Sequence, residues 1–209
     1  DPRIKLHLFV ENKGQQDALN YMLERATGDF FIPLSADDLI EPTFMERCIS
    51  IFNLNPCLEF IASQTDFIKE DGTPHTEDHP FKHIQVATNR SRDQWKHTFR
   101  MQGNVYFGAG MIRTQALKDI GGFNKESKVI SDYEVYLKLV HRSDIYVIQE
   151  NLTHTRIHAK NQSIGVDQKW LRQKYYDLQK EFYPPKRRLI IATPFYESRG
   201  YAPYIKCMG

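Results

Sequence analysis

The 209-residue chain is long enough to bury one sizeable core, since 41% of its residues are hydrophobic and 12% aromatic. Its 28 basic and 26 acidic residues give a net charge of +2, which argues against nucleic acid as the main partner. The three cysteines lack metal-ligand spacing, and no apolar run approaches the roughly 18 residues of a membrane-spanning helix. We therefore expect one domain with additional segments, in the reducing cytoplasm.

Strand-like and helix-like patterns alternate along the first third of the chain. They predict strand 4–10, helix 15–26, strand 30–34, a helix after Pro42 and strand 58–63. Pro33 indicates that the second strand lies at an edge or breaks near its end. The alternation predicts an α/β fold built on a mostly parallel sheet flanked by helices.

The second half predicts fewer strands and longer helices. Residues 66–93 are too polar and too long for an ordinary connection, which indicates a functional flap or disorder. Residues 103–123 predict a strand, a short helix and a glycine turn, and 131–142 a helix with Ser131 as N-cap. A basic, aromatic-rich helix follows at 166–186, and RRLIIATP then predicts a new strand.

Two adjacent aspartates, Asp37 and Asp38, directly follow the strand predicted at 30–34. Open α/β sheets bind ligands beyond the carboxyl ends of their strands. Mg²⁺ and Mn²⁺ prefer carboxylate oxygens and commonly add substrate phosphates to one or two protein carboxylates. A divalent cation bound with a diphosphate would explain the paired charges, whereas the alternative is that they only cap the helix after Pro42.

Four segments, in order, resemble the family 2 glycosyltransferases of the GT-A fold, which are Rossmann-like nucleotide-diphospho-sugar transferases. They are ENKGQQDALNYMLERATGDFFIPLSADDLIEP, GAGMIRTQALKDIGGFNKE, ISDYEVYLKL and TRIHAKNQSIG. They resemble the family's strand ending in L-D-x-D-D, its G-G-F-D/N-E stretch, its E-D-Y-D-L-W-L-R helix and its R-x-H-x-x-N-x-S segment. The resemblance covers about residues 3–165 and implies transfer from a UDP-sugar to a glycan or other hydroxyl acceptor.

The resemblance also implies roles for individual residues. Asp38 corresponds to the metal-binding aspartate, with His158 as a second ligand of Mn²⁺ or Mg²⁺, and Asp37 to an acidic partner that contacts the ribose or the metal. Asn20 matches the family's A-R-N helix, where Leu19 replaces the arginine, and Ser35 replaces the first aspartate of D-x-D. For His158 a purely structural role is the alternative.

Asp132 corresponds to the family's catalytic base. An inverting transfer needs one carboxylate that accepts the acceptor's hydroxyl proton while that oxygen attacks the anomeric carbon. An aspartate with a pKa of about 3.9 cannot deprotonate a sugar hydroxyl beforehand, so the proton moves in the transition state. The alternative for Asp132 is favourable electrostatics at a helix start. Gly108, Ala109 and Gly110 allow close backbone approach to a sugar.

The ends of the chain depart from the family pattern. The usual first strands, which carry P-T-Y-N and D-D-G-S and hold the uridine, do not precede Asp1. The tail LIIATPFYESRGYAPYIKCM resembles that first strand and its helix, which would bring Thr193, Pro194 and Tyr196 to uracil or ribose. The tail either begins a second transferase domain or fills the first-strand position by permutation or exchange between chains.

The predicted organisation is a truncated GT-A domain at 1–165, a linker helix at 166–186 and a second or permuted unit at 187–209. Helix 166–186 is either a solvated linker or a membrane-surface or partner helix of a peripheral enzyme. The whole chain is either an inverting hexosyltransferase or a non-catalytic module that binds a nucleotide-sugar or carbohydrate.

Overall fold

A computed structural model describes residues 1–77, 90–102, 107–162, 165–184, 190–194 and 203–207. The helices are α1 (Gln15–Arg25), α2 (Phe44–Leu54), α3 (Arg92–Gln102), α4 (Thr114–Asp119), α5 (Ser131–Arg142) and α6 (Gln168–Phe182), with a 3₁₀ helix at Lys125–Ile130. The strands are β1 (Phe30–Phe31), β2 (Leu39–Ile40), β3 (Phe60–Ile68), β4 (Gly110–Arg113), β5 (Ile145–Arg156), β6 (Ile190–Pro194) and β7 (Pro203–Cys207).

Five of these strands form one mixed sheet in the order β1-β4-β3-β5-β2. Only β3 and β5 pair in parallel, while β4 pairs antiparallel with both β1 and β3, and β2 pairs antiparallel with β5. The predicted α/β class is confirmed, but the prediction of a mostly parallel sheet was wrong. Helix-like segments between strands suggested crossover connections, whereas β2 and β4 are short strands that enter the sheet in the reverse direction.

Helices cover both faces of this sheet, and side chains alternate between them along each strand. Phe60 and Ile112 point into the larger core, which α1, α3, α4, α5 and α6 complete. Ile61 and Met111 point to the other face, where they pack against the apolar stripe of α2. β1 ends before Pro33 at the sheet edge, as the proline predicted.

Residues 4–10 do not form the predicted strand. The side chains of Ile4, Leu6, Leu8 and Val10 are all at least 75% exposed. His7 and Phe9 pack on the ring of Tyr21 instead, with ring centroids 3.9 and 5.3 Å away. Alternating apolar residues form a strand only beside a pairing partner, and none of the strands in the described residues lies alongside this segment.

Helix α6 packs against the main core through Tyr175 and Leu178, and the buried Gln179 donates a hydrogen bond to the carbonyl of Phe99. β6 and β7 pair antiparallel as a separate two-stranded sheet. β7 lies within the tail that resembles the family's first strand and its helix, and the assignment of 187–209 to a second or permuted unit stays a prediction. Within the described ranges, no helix combines the length and apolarity needed to cross a bilayer.

Candidate active site

The carboxyl ends of three strands meet at one edge of the sheet. β1, β3 and β5 run in the same direction, because β3 is parallel to β5 and β4 is antiparallel to both β1 and β3. Asp37 and Asp38 follow β1, Lys69 and Glu70 follow β3, and β5 ends at Arg156. The aspartate pair therefore lies at the ligand-binding edge that the sequence predicts.

Asp38 is half-buried at this edge, and its Oδ1 accepts a hydrogen bond of 2.9 Å from the backbone N–H of Arg156. Loss of solvent raises the pKa of the Asp38 carboxyl to about 6; the hydrogen bond opposes this rise and the charge of Asp37 adds to it. A desolvated carboxylate beside a second one is stabilised by a bound cation.

Asp37 pairs with His158, whose Nε2 lies 2.8 Å from Asp37 Oδ2. The other ring nitrogen, Nδ1, accepts a hydrogen bond of 3.1 Å from the N–H of Lys160. A neutral imidazole that accepts at Nδ1 carries its proton on Nε2, so His158 donates to Asp37. The predicted metal ligation by His158 would require Nε2 to exchange this hydrogen bond for the metal, and it stays a prediction.

Arg156 holds the parts of this edge together. Its Nε donates to the carbonyl of Asp37 at 2.8 Å, and its Nη1 donates to the carbonyls of Lys69 at 2.8 Å and Glu70 at 2.9 Å. One guanidinium thus fixes the loop after β1 against the turn after β3. The sequence analysis missed this role, although Arg156 begins the R-x-H segment that carried part of the resemblance.

A cavity of about 160 Å³ opens between this edge and the start of α5. Asp38 lines it together with Ser35, Gly108 and Ala109, and Asp132 lines the same cavity. The structure therefore brings the predicted metal-binding aspartate and the predicted base, 94 positions apart in the sequence, to one space. Gln15 and Leu19 of α1 complete another part of the wall.

Asp132 lines the cavity and keeps an exposed surface, while protein atoms surround its carboxylate closely enough to desolvate it. Its Oδ1 accepts a hydrogen bond of 2.7 Å from the N–H of Tyr133. Desolvation by the surrounding atoms raises the pKa of Asp132 to about 6 despite that hydrogen bond. Ser131 is already helical and does not cap α5, so the predicted N-cap was wrong.

The segment before Asp132 is tied to both flanking helices. Gln16 Nε2 of α1 donates to the carbonyl of Lys128 at 2.8 Å and to Ser131 Oγ at 3.2 Å. Ser127 donates to the buried carboxylate of Glu134 on α5, and Lys125 forms an ion pair with Asp17 of α1. These contacts fix the backbone that leads into the predicted base.

The predicted sugar-contacting glycines and Asn20 have structural contacts of their own. A Cβ on Gly108 would lie 2.3 Å from Thr153 Oγ1, so strand packing requires glycine there while Gly108 also lines the cavity. Asn20 donates to the carbonyl of Phe123 and accepts from its N–H, which holds the turn at Gly122. Asn20 is not among the cavity-lining residues. Nucleotide contacts by Gly108, Ala109 and Asn20 stay predictions.

The tail residues predicted to contact the nucleotide cannot be placed at this cavity. Thr193 and Pro194 lie on β6, opposite Tyr204 and Pro203 of β7. Tyr196 lies outside the described residues.

The carboxylate oxygens of Asp37 and Asp38 at the sheet edge fit a hard divalent cation whose coordination is completed by phosphate oxygens. No group of three or more metal-ligating side chains occurs within the described part of the chain. Mg²⁺ and Mn²⁺ are commonly held by one or two carboxylates plus substrate phosphates. Asp38, raised in pKa and facing the cavity, is suited to this role, with Asp37 directly beside it.

Comparison with known proteins decides the family. Residues 1–121, more than half of the chain, match the profile described as glycosyl transferase family 2. The chain belongs to this family. The resemblance inferred from the four motifs is thereby confirmed.

The chain is also similar to curated proteins that are named as glycosyltransferases. The chain is 26% identical over 162 residues to an uncharacterised glycosyltransferase of Haemophilus influenzae, covering 75% of this chain and 51% of that protein. It is 26% identical over 155 residues to one from Rickettsia typhi, covering 73% and 47%. The chain thus spans about half the length of these curated relatives.

A crystal structure of the S. aureus TarS fragment 1-349 has the same fold, with a TM-score of 0.54 at 16% identity. The match covers 84% of this chain and 54% of that one. The α/β fold with its mixed sheet is therefore shared with that structure.

Proposed function

We propose that this family 2 chain is the catalytic part of an inverting hexosyltransferase that moves a sugar from a UDP-sugar to a hydroxyl of a glycan or similar acceptor. The observation that carries the proposal is that Asp38 and Asp132 line one cavity. One carboxylate is suited to the donor's phosphates through a cation, and the other to the acceptor's proton. The transfer needs a base on the acceptor side of the anomeric carbon and the cation on the side of the departing diphosphate.

Asp132 acts as general base in this proposal. Its carboxylate accepts the hydroxyl proton as the acceptor oxygen attacks the anomeric carbon from the face opposite the nucleotide. Its raised pKa, about 6, makes it a stronger base than an ordinary aspartate while it remains mostly ionised at pH 7. The hydrogen bond from Tyr133 and the ties of the preceding segment orient the carboxylate.

Asp38, with Asp37 and His158 beside it, would hold Mn²⁺ or Mg²⁺ against the donor diphosphate. The cation supplies Lewis-acid stabilisation of the charge that collects on the departing UDP. A single protein carboxylate then suffices as base, because no protein acid has to protonate the leaving group. Arg156 keeps Asp37 and Asp38 at the edge of the sheet for this purpose.

UDP as the donor's nucleotide is supported by one structural neighbour. The S. aureus TarS fragment has also been solved in complex with UDP, and it matches this chain with a TM-score of 0.51. Uridine contacts by Thr193, Pro194 and Tyr196 remain part of the proposal, as do a second transferase unit at 187–209 and a cytoplasmic, membrane-peripheral location.

The test is release of UDP from UDP-sugars by the purified chain with Mn²⁺, comparing wild type with Asp132→Asn and Asp38→Asn. We expect wild-type release, a loss of about 10²- to 10⁴-fold in Asp132→Asn with UDP binding retained, and loss of metal-dependent UDP binding in Asp38→Asn. UDP binding with no release from wild type or Asp132→Asn would instead indicate a non-catalytic binding module.

A further inference from the structure

Lys128 is the residue of the cavity wall with the most unusual backbone. Its φ of 44° and ψ of −121° place it in a region that favours glycine, and it is the one non-glycine residue with positive φ among the described residues. It lies four positions before Asp132 and lines the same cavity. A bulky residue kept in such a conformation at a site indicates a functional constraint.

The neighbouring contacts impose this conformation. On one side, Ser127 is bonded to the buried Glu134, and on the other Gln16 binds both the Lys128 carbonyl and Ser131. Glycine would satisfy the same backbone without strain, so the folding of the turn does not explain a lysine. The side chain must therefore account for the choice of residue.

Lys128 is an exposed residue of the cavity wall, and no described ion pair joins its ammonium to a carboxylate. Its Nζ lies 5.2 Å from the ring centroid of Trp170 at the start of α6. Within the described ranges no ion pair involves Lys128, even though Asp132 shares the cavity wall. Among the described residues that line this cavity, Lys128 is the one Lys or Arg, and the other charged groups are Asp38 and Asp132.

We propose that Lys128 is a specificity residue that binds an anionic group, a phosphate or carboxylate, on the sugar acceptor. The inference rests on the proposed function, because it takes Asp132 as the acceptor-side group and Asp38 as the donor-side group. Lys128 and Asp132 line one cavity four positions apart, so an acceptor whose hydroxyl is in reach of Asp132 occupies the same cavity as Lys128. Trp170 orients the ammonium by a cation–π contact, which leaves its N–H donors for the anion.

Glucose 6-phosphate and glucose are a matched pair of probes that differ by one anionic group. Their binding to the UDP- and Mn²⁺-containing protein is measured by calorimetry, for wild type, Lys128→Met, Lys128→Gly and the control Lys169→Met. Lys169 is an exposed lysine on α6 that does not line the cavity. Wild type and Lys169→Met should prefer the phosphate at least about tenfold, as expected for a charge-assisted contact, and both Lys128 variants should lose that preference.

Lys128→Gly separates an effect on binding from an effect on stability. It removes the ammonium, and it also removes the backbone strain, because glycine adopts a positive φ freely. We expect a melting temperature equal to or above that of wild type, together with the loss of phosphate preference. Equal binding of the two probes by wild type, or an unchanged preference in both Lys128 variants, would overturn the inference. Weaker UDP binding in the variants would overturn it too, because it would assign Lys128 to the donor. Absence of UDP binding by wild type would instead contradict the proposed function, and the probes would then be compared on the protein alone.

Discussion

Desolvation raises the pKa of both Asp38 and Asp132 to about 6, but the consequence of the raised pKa differs between the two residues. Asp38 sits beside Asp37, so a cation that neutralises the pair restores its ionised form. For Asp132 the shift comes from desolvation, without a neighbouring charge among its causes, so its raised pKa strengthens it as a base. Similar pKa values thus suit one residue to metal binding and the other to proton transfer.

The pKa of Asp132 predicts the pH dependence of turnover. A general base acts only when deprotonated, so kcat/KM should rise with pH and level off above about 6. The measurement is UDP release at saturating Mn²⁺ from pH 4.5 to 8. Because Asp38 titrates in the same range, the apparent value belongs to both groups. The exposed Asp66→Asn should leave the profile unchanged; a flat profile down to pH 5 would contradict the role of Asp132.

Arg156 positions Asp37 and Asp38, and this role can be tested by substitution. Arg156→Lys keeps the charge but loses the fork that reaches the carbonyls of Asp37, Lys69 and Glu70. We expect the KM for the UDP-sugar to rise about tenfold with a smaller change in kcat, since the loop that carries Asp38 loosens. Arg47→Lys, at an exposed ion pair with Glu150, is the matched control. Equal effects of both substitutions on KM would show that the hydrogen bonds of the Arg156 guanidinium do not position the loop that carries Asp38.

Among the helices and strands, α1 and α5 were predicted from the sequence, whereas β5 was not. The helices α1 and α5 were predicted within a residue or two, because each has an apolar stripe with the helical period. β5, the longest strand, was missed because its middle, Gln149–Asn151, is polar and exposed and interrupts the apolar pattern. Its pairing with β3 shifts register at Gln64, an irregularity that local periodicity does not encode.

The packing of α6 gives a prediction at this scale. Leu178 is buried in the core that α6 shares with α3 and α5, so Leu178→Ala should lower the free energy of unfolding by about 2–4 kcal/mol. Lys180→Ala, on the exposed side of the same helix, should change it by less than about 0.5 kcal/mol. Denaturant unfolding checks both. Equal, small effects would show that α6 is a solvated linker rather than part of the domain.

For the molecule as a whole, the sequence placed the site better than it placed the sheet. Asp37, Asp38 and Asp132 carried motifs that fix their neighbourhood, and the structure brings Asp38 and Asp132 to one cavity. Strand direction depends on partners far away in the chain, so the reversed β2 and β4 had no local signal. Lys128 and Arg156 were missed for a related reason, since a backbone angle and four long-range hydrogen bonds define their roles.

The site also couples ligand binding to the stability of the whole chain. The pKa of Asp38 is raised from 3.8 to about 6 in the fold, so its protonated form contributes stability that is fully present below about 3.8. That contribution is lost as pH rises through about 6. In the proposed function, the ionised Asp38 carboxylate would bind the cation and UDP, which would offset this loss.

Stabilisation by UDP with Mn²⁺ should therefore depend on pH. At 100 times the dissociation constant, ligand binding adds about 2.7 kcal/mol, or roughly 5 °C or more in melting temperature for a chain of this size. We expect this shift at pH 7.5 and a much smaller one at pH 5, where protons compete for Asp38 and metal affinity falls about tenfold per pH unit. EDTA and Asp38→Asn should each abolish the shift at pH 7.5, whereas Asp66→Asn should preserve it. A shift of equal size at both pH values, insensitive to EDTA, would mean that UDP binds without the cation and that Asp38 has another role.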